Sequence, residues 1–265
     1  MDSHADALVT ENGRRSIQRF LQPLLALTGL QFASLGDFEI LGERYSLPRF
    51  SFRGPNSVDP LRIGLFAAIH GDEPAGALAV RQFILELAAQ PAVAEGFHLE
   101  LYPICNPTGY EDGTRHSRRG CDLNREFWKG SMESEVELLE HELRTAHFDG
   151  IIQLHADDTS DGVYGFVRGH ILTENLLRPA LRAAGEILPR NVNATIDGFA
   201  ARDGIIFDLY EGVLRAPTKM DHVPFEIILE TPCLAPMDLQ VQALLVALRT
   251  VLSEYRRLMA FAPNL

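Results

Sequence analysis

A chain of 265 residues, 46% hydrophobic and 23% charged, is long enough to bury one full α/β core without a second domain. Its formal net charge of −12 argues against nucleic acid or an anionic membrane as partner, because either would repel it. No apolar run approaches the length of a bilayer-spanning helix, and the opening MDSHADALVTENGRR is polar and acidic where a secretion signal is basic and then apolar.

In chain order, residues 14–28 read as a helix despite Pro23, and residues 1–35 as an N-terminal helical addition to a single domain spanning 1–265. Residues 38–52 alternate as two short antiparallel strands would. Residues 61–69 form a near-continuous apolar run, the pattern of a strand buried on both faces. Pro74 suits the first position of a helix running towards Gln90, with Val80, Phe83, Ile84 and Leu87 on one face. Strand-like runs follow at 97–105, 150–155, 163–167 and 224–230, and helix-like segments at 132–145, 173–187 and 238–259. Strands alternating with helices imply an α/β fold: a mixed, largely parallel twisted sheet with helices on both faces. The dispersed Cys105, Cys121 and Cys233 fit reduced thiols in a cytoplasmic setting, most simply as small buried residues.

Ligands in such sheets bind beyond the carboxyl ends of the strands, so the strand ends carry the functional signal. The run over 61–69 stops at His70, with Glu73 in the first turn of the next helix; IIQLH stops at His155 and FEIILE at Glu230. Each alone has an ordinary explanation. A strand-end histidine is commonly hydrogen-bonded scaffolding, and a glutamate in a first helical turn meets the helix dipole favourably. Together they bring two histidines and two glutamates to one rim of one sheet. Two His and one Glu make a known open zinc set with a fourth position for water. Gly71 permits a sharp turn between strand and helix.

The stretch NPTGYEDGTRHSRRGCDLNREF, residues 106–127, adds a second group of motifs. With HxxE, NPxG, the arginine-rich run and DLNR, the sequence resembles the zinc carboxypeptidase family from about residue 36 to its end. The resemblance implies a zinc carboxypeptidase-like (phosphorylase/hydrolase-like) fold and one Zn2+ held by His70, Glu73 and His155. It implies that Arg115 polarises the scissile carbonyl, that Asn124 and Arg125 grip the substrate's terminal carboxylate, and that Asp122 orients the first zinc histidine. Glu230 matches the general base. Each role has a physical rationale: a guanidinium pairs with a planar carboxylate in two places, and an acid behind a zinc histidine fixes its tautomer. A glutamate beside an acidified water can take its proton and hand it to the leaving amine.

Some positions depart from the digestive carboxypeptidases. Asp72 in HGDE stands where those enzymes carry arginine, and the HGDE form resembles the murein-peptide amidases and the succinylglutamate desuccinylase and aspartoacylase branch; Asp72 also suits a helix cap. Glu126 replaces an asparagine. Tyr210 is the candidate for the family's catalytic tyrosine, and Arg215 the candidate for a side-chain pocket that would favour an acidic group. HADDTSDG after His155 fits a hydrogen-bonded turn, or a selector of cations. Glu226, four residues before Glu230, is a rival base that is better read as a rim acid with a local partner. The expected activity is zinc-dependent hydrolysis of an amide next to a free carboxylate, in a small peptide as a metallocarboxypeptidase or murein-type peptidase. The alternatives are an N-acyl amino acid deacylase and a non-catalytic binding protein on the same scaffold.

Overall fold

Side chains on a strand alternate between the two faces of its sheet, and here that alternation separates one large core from two smaller apolar clusters. The computed structural model describes residues 13–56, 58–169 and 173–261. Among these, the strands are β1 (Gln31–Ile40), β2 (Glu43–Arg53), β3 (Leu61–Ala67), β4 (Phe97–Tyr102), β5 (Gly150–Asp157), β6 (Tyr164–Arg168), β7 (Thr195–Ile196), β8 (Phe199–Arg202), β9 (Ile205–Ile206) and β10 (Phe225–Pro232). The α-helices are α1 (Ile17–Leu25), α2 (Pro74–Ala89), α3 (Pro107–Asp112), α4 (Ser134–Thr145), α5 (Thr173–Ala184) and α6 (Met237–Phe261).

The strands form one mixed sheet in the order β1-β2-β4-β3-β5-β10-β6-β9-β8-β7. Its centre, β4-β3-β5-β10, is parallel. The outer strands pair antiparallel, apart from the short parallel β6–β9 contact. On one face Ile63, Leu65, Ile152, Leu154, Ile227 and Leu229 pack into the larger core with side chains of α1, α2, α5 and α6. On the other, Phe66 and Ile151 meet Val136, Leu139 and Leu143 of α4. By the same alternation His155 and Glu230 fall on the second face, which only one long helix covers.

The structure refines several sequence expectations. The N-terminal helix is α1, capped by the Ser16 hydroxyl, which accepts the Arg19 amide at 3.2 Å. Expectations for residues 1–12 lie outside the described residues. The first strand starts at Gln31, inside the stretch expected to be helical, and the hairpin is longer than expected. Its turn places Leu41 and Gly42 at φ 51° and 81°, the left-handed pair of a tight two-residue hairpin. The short strands β7 to β9 and the helix α3 carry too few residues to set a periodic pattern, and sequence reading missed them.

Helix α4 buries an unusual number of acids. Glu142 accepts the Tyr102 hydroxyl at 2.6 Å and pairs with Arg49 at 3.1 Å, while Glu133 accepts the Ser117 hydroxyl at 2.9 Å. Glu135 is fully buried, and neither of its carboxyl oxygens has a hydrogen-bond partner. Burial, then the charge of Glu133, pushes its pKa up to about 7 from 4.5. A carboxyl whose folded pKa is raised contributes most below its unfolded pKa, and that contribution is lost as pH rises towards the folded value. The cost above pH 7 is on the order of 3 kcal/mol. Glu135→Gln should therefore raise the denaturant midpoint at pH 8 and leave it unchanged or lower at pH 5. A midpoint shift of the same size and sign at both pH values would show that Glu135 is not titrating in the fold.

Candidate metal centre and cleft

The centre is assembled where β3 leaves the sheet. Ala68 turns the chain at φ 48°, an uncommon conformation for a residue with a Cβ. The Ala67 and Ala68 carbonyls accept the Cys105 and Asn106 amides at 3.0 and 2.9 Å, and the Ile69 carbonyl accepts the Asn106 side-chain amide at 3.3 Å. Gly71 sits against the Gly109 backbone, where any Cβ would collide. A Cβ on Gly76 would lie 2.7 Å from the Leu154 carbonyl, so the start of α2 rests directly on β5. That close approach brings Glu73 from α2 to His155 from β5.

Glu73 bridges the two histidines. Its Oε1 lies 2.6 Å from His70 Nδ1, and its Oε2 lies 2.9 Å from His155 Nδ1 while accepting the Ala156 amide at 3.0 Å. All three side chains are buried, and one donor atom from each falls within 4.8 Å of the others. Contacts this short between imidazole nitrogens and a carboxylate need either protons or a cation between them. Two imidazoles and a carboxylate match the donor preferences of zinc. Asp122 lies 3.2 Å from His70 Nε2 and can hold the proton there, so that Nδ1 would be the nitrogen offered to a bound cation.

The charges here are strongly coupled. Burial opposes ionisation of Glu73, yet the two histidines hold its carboxyl far below the usual range. Burial also works against a charged His70, but Glu73 and Asp122 raise its pKa. His155 has its pKa lowered by burial, which Glu73 does not fully offset. Against the cost of its own burial, the His70 hydrogen bond and the charges of His70, Arg115 and Arg125 keep Asp122 ionised.

A cleft of about 340 Å³ opens beside this cluster. Arg115 reaches in from one wall, its Nε donating to Asp122 at 3.1 Å and its Nη1 to Glu73 at 3.5 Å. Asn124 and Arg125 lie on the short 3-10 turn Leu123–Arg125, which Asp122 caps by accepting the Asn124 amide at 3.0 Å. The Arg125 guanidinium lies 4.2 Å from the Tyr210 ring centroid, and the Tyr210 hydroxyl donates to the Asp197 carbonyl at 3.0 Å. Glu230 of β10 stands in register with His155 of β5 and lines the cleft. Burial, then the charges of Glu73, Asp157 and Asp197, raises its pKa well above the carboxylate range.

The structure thus brings nine of the ten candidate residues to one locus: His70, Glu73, Arg115, Asn124, Arg125, His155, Tyr210 and Glu230 line the cleft, with Asp122 behind His70. Arg215 does not line the cleft; its carbonyl accepts the Trp128 indole N–H at 3.0 Å, and its guanidinium is depressed in pKa by burial and by Arg168. Asp72 lines the cleft rather than capping α2, whose cap position is Glu73. Glu126 accepts the Ser131 hydroxyl at 3.1 Å. Glu226 is buried lower on β10 and accepts the Ala216 amide at 2.6 Å, a local role that leaves the cleft to Glu230. Sequence reading missed Tyr164, a cleft residue paired with Glu230 across β6 and β10, whose hydroxyl donates to Asp157 at 2.9 Å. Only the antiparallel register of two distant strands reveals it.

The model of the succinylglutamate desuccinylase/aspartoacylase catalytic domain matches residues 60–196, slightly more than half of the sequence. Among solved structures, a candidate metallopeptidase of Shewanella denitrificans is 25% identical, with a TM-score of 0.74 over 90% of each chain. A metallo-carboxypeptidase of Burkholderia cenocepacia is 17% identical, with a TM-score of 0.70 over 92% of this chain and 70% of that one. The product-bound ectoine utilization protein of Ruegeria pomeroyi is 17% identical, with a TM-score of 0.58 over 84% of this chain and 66% of that one. No curated protein matches the sequence.

The donor cluster makes a direct prediction. Zinc in hundredfold excess over its dissociation constant stabilises by about 2.7 kcal/mol, so it should raise the unfolding midpoint of metal-stripped protein by several degrees. His155→Ala should abolish that increment. A wild-type midpoint that zinc does not move would count against the cluster as a metal site.

Proposed function

The chain belongs to the succinylglutamate desuccinylase/aspartoacylase family, and on that footing we propose that it is a zinc-dependent hydrolase cleaving an amide bond next to a free carboxylate. The observation that carries this reading is the register of Glu230 with His155, which turns a carboxylate toward the space in front of the His70–Glu73–His155 donors. When bound there, a zinc ion supplies Lewis acidity, lowering the pKa of a water and polarising a carbonyl.

The protein's own groups supply the rest. Glu230 takes the proton of the attacking water and passes it to the leaving nitrogen. Its raised pKa is that of the metal-free protein, and a divalent charge beside it favours the ionised form that a base requires. Arg125, stacked on Tyr210 and donating from Nη1 to the Asn124 carbonyl at 2.9 Å, has further N–H groups to offer the substrate carboxylate. Arg115, half-buried and already close to Glu73, meets the negative charge that develops on the former carbonyl oxygen. Asp122 ties His70, Arg115 and the Asn124 turn into one unit, so the donor set and the anchor hold a fixed spacing.

Two substrate classes fit. The first is a peptidase of the carboxypeptidase type acting on short peptides, and the Shewanella metallopeptidase neighbour supports peptidase chemistry. The family model favours the second, an N-acyl amino acid deacylase. Six carboxylates line the cleft against two guanidiniums, Arg115 and Arg125. With Arg215 outside it, a neutral or cationic group suits the far wall better than a succinyl or aspartyl carboxylate. The free thiols of Cys105, Cys121 and Cys233 support a cytoplasmic setting, and among the described residues no helix is long and apolar enough to cross a membrane.

Glu230→Gln should keep wild-type zinc content yet lose at least about a hundredfold in kcat. Wild-type turnover by that variant would transfer the base role to another group. A panel of C-terminal peptides, murein peptides and N-acyl amino acids, each with basic, neutral and acidic members, should show the basic and neutral members turned over faster. Preference for the acidic members would overturn the reading of the far wall.

A further inference from the structure

The metal turn is braced by consecutive carbonyls, and the last brace comes from outside the family-matched segment. The carbonyls of Ala67, Ala68 and Ile69 are held by Cys105 and Asn106, and that of His70 accepts the Glu73 amide at 3.3 Å. The next carbonyl, that of Gly71, accepts Arg15 Nη1 at 2.6 Å. Arg15 precedes the matched residues 60–196 by 45 positions and reaches the turn from the N-terminal segment.

Arg15 is well placed to fix that carbonyl. The same Nη1 donates to the Tyr110 carbonyl at 3.1 Å, and the guanidinium lies 5.4 Å from the Tyr110 ring centroid. Its backbone amide donates to the Glu111 carbonyl at 3.0 Å. The segment behind it is docked by Phe20, fully buried and edge-on to Tyr110 with ring centroids 5.8 Å apart. Arg15 therefore pins Gly71 to α3, the element against which Gly71 is already pressed. Gly71 and Asp72 are the two residues separating His70 from Glu73, so their backbone path sets the separation of two donors. A glycine there has the freest backbone of any residue, and holding its carbonyl removes that freedom before an ion arrives.

We infer that Arg15 is a positioning residue for the metal centre: by clamping the Gly71 carbonyl it preorganises His70 and Glu73 for the ion. The inference rests on the metal site proposed above, and the test separates the two. Zinc affinity is measured by competition with a chelating dye, and the unfolding midpoint is taken with and without zinc, for wild type, Arg15→Met and Arg15→Lys. Outer contacts to metal ligands are worth about 10- to 100-fold in affinity, so Arg15→Met should bind zinc roughly tenfold more weakly and gain a smaller midpoint shift from it. Arg15→Lys, which keeps a donor and the charge but not the planar fork, should fall between the two. An Arg15→Met protein that melts lower without metal yet binds zinc as tightly as wild type would make Arg15 a structural clamp and overturn the inference. Should the methionine variant fail to fold, parity between the lysine variant and wild type overturns it equally. Wild type that takes up no zinc overturns the metal centre itself, and the inference with it.

Discussion

One carboxylate held between two imidazoles is the constraint on which this molecule turns. Glu73 must reach His70, three residues before it, and His155, on a different strand, with one oxygen each. Removing an ionised carboxylate from water costs several kcal/mol unless charges and hydrogen bonds replace the lost hydration. Here the replacements are the two histidines, the Ala156 amide and Arg115. The geometry that delivers them explains otherwise isolated features: the left-handed Ala68, the turn at Gly71 where no side chain fits, and a small Gly76 that lets α2 rest on β5. A polar cluster of this kind is costly when incomplete and rigid when complete.

The two faces of the sheet divide the work. The face under α1, α2, α5 and α6 is continuous hydrocarbon and carries most of the apolar burial. The other is covered by α4 and by loops, so polar groups at the strand ends can meet solvent and substrate there. Strand alternation connects these facts: the residues that place Leu154 and Leu229 in the larger core also place His155 and Glu230 on the opposite side. A one-residue slip of β10 against β5 would bury Glu230 in hydrocarbon, which is why register is strongly specified here.

Much of this was legible from residues alone. The central strands, α2 and α6 announce themselves by apolar runs and helical spacing. His70, Glu73, His155 and Glu230 announce themselves by ending or following such runs. Parallel strands gather their carboxyl ends at one rim, which brings these residues together, while their expected roles come from the resemblance carried by the HxxE, NPxG and DLNR motifs. What escaped was contact between segments without periodicity. Tyr164 enters the cleft through an antiparallel pairing with β10. Arg215, an attractive pocket residue by position, does not line the cleft. Glu135 carries no sequence signal of its own, and only the packing of α4 shows that this first-turn acid is buried.

The backbone around Arg215 shows how the cleft wall that carries Arg125 is made stiff. Two loops, one carrying Asn124 and Arg125 and one spanning 212–215, are stitched together by three bonds. The Phe127 amide donates to the Gly212 carbonyl at 3.0 Å, the Leu214 amide to Asn124 Oδ1 at 2.8 Å, and the Trp128 indole to the Arg215 carbonyl at 3.0 Å. Loops normally lose precision through independent motion, and bonds between two of them restrict it. Here the Asn124 side-chain oxygen accepts from the neighbouring loop, which fixes the orientation of its amide group next to Arg125. The same stitching places Leu214 with Leu123 and Phe127 in the smaller core, so hydrophobic burial backs the turn that carries Arg125.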